Sequence, residues 1–72
     1  MSAEAWARQN VHLFSAGFHG KSSITWIAQI KVEGQVFEHR VAGAIRRRDS
    51  LRQRAAEAVV GDYLDWIERT EN

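Results

Sequence analysis

The chain has 72 residues, three histidines, no cysteine and no proline, with ten basic against nine acidic side chains for a net charge of +1. A length of this order makes one domain, residues 1–72, which buries only about 60% of the surface its unfolded chain exposes. The missing cysteines exclude disulfide bracing and thiolate metal sites, and apolar runs of a few residues exclude a membrane-spanning helix.

The start, MSAEAWARQN, lacks the basic region and apolar run of a signal peptide, so an intracellular, cytoplasmic domain is expected. Ser2 followed by Glu4, Ala5, Trp6, Ala7 and Arg8 predicts a short helix capped by Ser2. At about two turns it is marginal alone and needs Trp6 packed on the body. Val11-His12-Leu13-Phe14 reads as a first strand stopping at Ser15-Ala16-Gly17, with Leu13 or Phe14 facing the core. Phe18-His19-Gly20-Lys21-Ser22 is then a loop that exposes His19 and Lys21.

Ser23 to Val32 alternates Ile24, Trp26, Ala28, Ile30 and Val32 with a mostly polar second set, the signature of a half-buried strand. Glu33-Gly34 predicts a two-residue hairpin turn with glycine at positive φ. The implied register opposes Val32 to Gln35, Ile30 to Phe37, Ala28 to His39 and Trp26 to Val41. A one-residue slip would turn Phe37 into water.

Val41 to Ile45 leaves the sheet, turning at Gly43, and Asp49 or Ser50 caps a helix to about Arg69. Leu51, Ala55, Val59, Tyr63 and Ile67 recur every fourth residue, and Ala56, Val60, Leu64 and Trp66 widen that stripe. Alanines in its first half permit close approach to a sheet. Gly61, costly in a helix interior, reads as relief for a bulky neighbour. The expected fold is α+β: a three-stranded antiparallel sheet with one long C-terminal helix on one face. Its order is β-β-β-α, or α-β-β-β-α with the short first helix, and its core spans about residues 11–69.

Catalytic chemistry has little material. His12, His19 and His39 fall on separate elements without metal-ligand spacing. Asp62 and Asp65 read as charge on the wet side of a helix, and GKSS lacks the upstream glycine of a phosphate-binding loop. No enzyme activity, cofactor, metal or small-molecule substrate is expected.

Charge distribution is more telling. Residues 40–54 hold six arginines against one acid, Asp49, a net +5. Residues 55–72 hold Arg69 against Glu57, Asp62, Asp65, Glu68 and Glu71, a net −4. Arg46, Arg47 and Arg48 precede the helix and Arg52 lies one turn in. A helix N-terminus already carries partial positive charge, so arginines there are unfavourable without an anion. Together with free backbone N–H groups they predict a phosphate site. Because the helix is long, the His19–Lys21 loop and the helix start are expected to lie well apart.

This order of elements, with Trp26-Ile27-Ala28-Gln29-Ile30-Lys31-Val32-Glu33-Gly34 as the second strand and turn, resembles the double-stranded RNA-binding domain over about residues 11–68. Alignment on the Ala55-Ala56 pair places Arg48, Asp49 and Arg52 at the family's three helix-start lysines. The resemblance implies phosphate contacts across a major groove from Arg46, Arg47, Arg48 and Arg52, and minor-groove entry by His19 and Lys21. The chain departs from the family at Asp49, at Ser22, where the loop histidine would fall, and in its few residues before the first strand. A degenerate domain that dimerises or binds protein is the alternative it implies, with Ile27, Val36 and Trp66 as candidate contact residues.

A further alternative resembles the three-stranded DNA-binding domains of integrase arm-binding and Apetala type. There the outer sheet face, Thr25, Ile27, Gln29, Lys31, Glu38 and Arg40, would read a major groove.

Overall fold

The computed structural model describes residues 1–16 and 22–71. Helix α1 spans Ala3–Gln9, strands β1, β2 and β3 span His12–Ser15, Ser23–Val32 and Gln35–Ala44, and a 3-10 turn at Ile45–Arg47 leads into α2, Arg48–Glu71. The strands form one antiparallel sheet in the order β1-β2-β3. Helix α2 packs on one face against β2 and β3, and α1 lies against α2. The α-β-β-β-α architecture read from the sequence is the observed one.

The hairpin register holds at every expected pair: Val32 with Gln35, Ile30 with Phe37, Ala28 with His39, and Trp26 with Val41. Both turn residues have positive φ, 47° at Glu33 and 80° at Gly34. Two such residues make the mirror-image turn whose twist matches a hairpin. The first strand lies one residue later than expected, at His12–Ser15, and Leu13 rather than Phe14 faces the core.

Ala28, Ala55 and Val59 are fully buried at the helix–sheet contact, where small side chains let the helix approach closely. Ile30, also fully buried, adds about 1.5–3 kcal/mol of the kind gained by removing a large aliphatic from water. Toward the far end an aromatic cluster takes over. Tyr63 lies 5.4 Å from Trp6 and 5.9 Å edge-on from Phe37, and Phe37 lies 5.5 Å from Trp66. Offset and edge-on rings are the favourable arrangements.

The Trp6–Tyr63 contact docks α1, as its marginal length requires. Ser2 Oγ accepts the Ala5 N–H at 3.0 Å, the expected cap, and Arg8 grips the Glu57 carboxylate of α2 with both terminal guanidinium nitrogens, Nη1 and Nη2.

Three details differ from the sequence reading. Gly43 is not a turn but a residue of β3 paired with Ile24. Its missing side chain admits Leu51, two of whose carbons lie 3.0 Å from where a Cβ would sit. Gly61 relieves no crowding, since nothing lies within 4 Å of the corresponding position. Ile27 is not an exposed contact residue. It is 4% exposed, on the central strand between Phe14 and Arg40.

Candidate nucleic-acid interface

The arginine turn is built by the way the chain leaves β3. The Ile45 N–H donates to Ser22 O at 2.8 Å, fastening the turn to the residue before β2. The 3-10 turn then passes directly into α2, with the Arg48 N–H bonded to Ile45 O. Asp49 and Ser50 are therefore first-turn residues of a helix that begins at Arg48, not its caps. The amides of Ile45 and Arg48 are thus occupied within the chain.

Arg46, Arg47, Arg48, Arg52 and Arg54 are all exposed. Among the described residues none of the five forms an ion pair. Arg52 alone has a defined seat. Its guanidinium carbon lies 5.9 Å from the ring centroid of Trp26, a cation–π distance that lays Arg52 over the sheet end. Trp26 Nε1 beneath it is buried and has no hydrogen-bond partner among the described residues.

Arg40 belongs elsewhere. It sits on β3, four residues and about 13 Å before Ala44, and its Nε donates to Glu38 Oε2 at 3.3 Å. The basic cluster is thus Arg46 to Arg54, one residue shorter than the count over 40–54 implied. Apart from Asp49 in the first turn, the acids of α2 lie in its middle and toward its other end. In a helix of 24 residues, about 36 Å long, the arginines outnumber Asp49 at the start and the acids outnumber Arg69 at the end, so the balance at each pole has the sign that the helix dipole disfavours.

His19 and Lys21 lie outside the described residues. The chain on either side is anchored, by Ala16 N–H to Thr25 O at 2.9 Å and by the Ser22–Ile45 bond. Ser22, next to Lys21 in the chain, therefore adjoins the arginine turn, while the expected separation of His19 and Lys21 from the helix start falls on residues outside the described ones.

Several charges elsewhere are paired. Arg8 is held by Glu57 and Glu4, so α1 adds little free positive charge. On the outer sheet face Gln29 donates to Glu38 at 2.7 Å. That hydrogen bond, then Arg40, holds the Glu38 carboxyl below its ordinary value. His39 Nδ1 lies 3.3 Å from Asp62 Oδ2, which ties one of the supposed water-facing carboxylates to the sheet. Among the described residues no cluster of three His, Asp or Glu side chains is placed to hold a metal, and no helix is long and apolar enough to cross a membrane.

Comparison of the chain with protein-family models, curated proteins and solved structures returned no match.

Proposed function

We propose that this domain binds double-stranded RNA, with the arginine turn laid against backbone phosphates. One observation carries the reading: five exposed arginines, none of them in an ion pair among the described residues, stand at the start of a helix, where the dipole disfavours positive charge. A polyanion removes that conflict, and phosphates in register along a duplex suit several guanidinium groups at once.

Duplex RNA is favoured over DNA by the arrangement of faces. The outer sheet face, which would have to enter a DNA major groove, presents Gln29, Glu38 and Arg40 already bonded to one another. Ile27 on that face is buried. The arginine turn instead projects from the end of the fold beside Ser22, as needed to bridge phosphates across the deep, narrow groove of an A-form helix. Arg46, Arg47, Arg48 and Arg52 supply the charge, with His19 and Lys21 as the companion contacts in the neighbouring minor groove.

Because α1 has its one arginine neutralised, the binding surface is concentrated at one end. The footprint should be shorter than the roughly 16 base pairs spanned by a full double-stranded RNA-binding domain. Competition of unlabelled RNA and DNA duplexes of equal length against a labelled RNA duplex tests the assignment. Preferential displacement by RNA is expected, and equal or better displacement by DNA would remove the A-form argument.

A further inference from the structure

β3 is an edge strand. β2 lies on one side of it, and among the described residues no strand lies on the other. Ten residues, Gln35–Ala44, therefore present part of their backbone to an open edge. The hairpin decides which part. Val32 and Gln35 flank a two-residue turn, and the pair flanking such a turn exchanges both hydrogen bonds. Residues 35, 37, 39, 41 and 43 thus bond inward to β2, while Val36, Glu38, Arg40 and Ala42 direct N–H and C=O outward.

This strand complements itself about His39. Glu38 mirrors Arg40, Phe37 mirrors Val41, and Val36 mirrors Ala42. Two β3 strands paired antiparallel about a two-fold axis through His39 would oppose each Glu38 to the Arg40 of the other copy, adding a contact across the axis to the one each makes within its own chain. The same register brings outward-bonding residues together, so the backbone ladder closes as well. A two-residue shift one way opposes Glu38 to Glu38, and the other way Arg40 to Arg40. A one-residue shift opposes outward-bonding residues to inward-bonding ones and closes no ladder.

We propose that the β3 edge is a self-association surface whose occupant is a second copy of this chain in this register. Val36, 58% exposed in the single chain, gains Ala42 of the second copy as its neighbour. The two sheets become one of six strands with both α2 helices on the same face. The arginine turns then stand at opposite ends, leaving strand ends at Ala44 that lie ten residues and about 34 Å apart along the strands. Pairing is independent of nucleic-acid binding, since Arg46 to Arg54 do not lie on this edge.

Charged side chains on an edge strand also serve to repel unwanted partners, and the two roles predict different behaviour. Sedimentation velocity at low salt over a wide concentration range should show the wild type moving toward twice its 8.2 kDa chain mass. Glu38→Arg and Arg40→Glu alone should each weaken association by about tenfold, because two opposed pairs become repulsive. The swap E38R/R40E restores both pairs and should recover association. Slowed amide exchange at residues 36, 38, 40 and 42 with rising concentration is expected in the unmodified protein. A wild type that stays monomeric, single reversals that associate as well as wild type, or a swap that does not recover would each overturn the proposal.

Discussion

Leu51 closes over Gly43: two of its side-chain carbons lie 3.0 Å from the point at which a Cβ on Gly43 would sit. Leu51 is itself only 2% exposed. This contact pins the first turns of α2 to the end of β3 and so holds the arginine turn in place. Gly43→Val should cost about 1–3 kcal/mol by overpacking, measured as a lower urea midpoint. A neutral outcome would mean that the helix start moves aside easily.

Gly61 makes the opposite prediction. It lies inside α2 with open space where a side chain would be, so the chain bears the cost of a flexible helix residue without a packing return. Gly61→Ala should raise stability by about 0.5–1 kcal/mol, read from the thermal or urea midpoint. Destabilisation would show that the position needs glycine for a reason other than crowding.

Glu33 holds φ at 47° in a turn where asparagine is the favoured first residue. Glu33→Asn should stabilise the hairpin by several tenths of a kcal/mol, with sharper amide dispersion for β2 and β3. No gain in the urea midpoint would indicate that the glutamate is compensated in another way.

The Arg8–Glu57 contact gives a pH signature. The hydrogen bond from Arg8, helped by its charge and opposed by desolvation, holds Glu57 below its ordinary 4.5. The unfolded chain therefore takes up the proton at higher pH than the folded one, and stability rises with pH across that interval. The contribution is complete above about 4.5 and is lost as pH falls through the folded value. The difference in urea midpoint between wild type and Glu57→Gln should shrink as pH falls below about 4.5. A difference that stays constant would assign the contact to shape rather than ionisation.

Much of the fold was legible because β2 keeps a period of two without exception on its helix-facing side, and Phe37 and Val41 of β3 follow it. Ile24, Ala28, Ile30 and Phe37 leave one workable register, and Glu33-Gly34 closes it. The start of α2 was harder to read. Asp49 and Ser50 are good caps by residue type, yet the Ile45–Ser22 bond draws the chain into a 3-10 turn and the helix starts two or three residues earlier than such a cap implies, at Arg48. Gly43 looked like a turn because the glycine signal for flexibility and that for close approach are the same in sequence. Only the position of Leu51 separates them.

At the site, clustering of arginines was visible, but their individual fates were not. Arg40 and Glu38 are two apart and so share one strand face, which pairs them and removes Arg40 from the cluster. Arg52 reaches Trp26, twenty-six residues away in the chain, a contact that depends on how α2 crosses the sheet. The Arg8–Glu57 pair likewise joins residues with no local relation, and it subtracts α1 from the positive surface.

The central claim, that Arg46, Arg47 and Arg48 bind duplex RNA phosphates, is tested most directly by fluorescence anisotropy of a labelled RNA duplex over a salt series. With about four phosphates neutralised, the log–log slope should be about −3 to −4 for the wild type. In R46A/R47A/R48A, which spares Arg52 on Trp26 and so the packing, it should fall to about −1. Absence of binding by the wild type at low salt, or an unchanged slope in the triple variant, would contradict it.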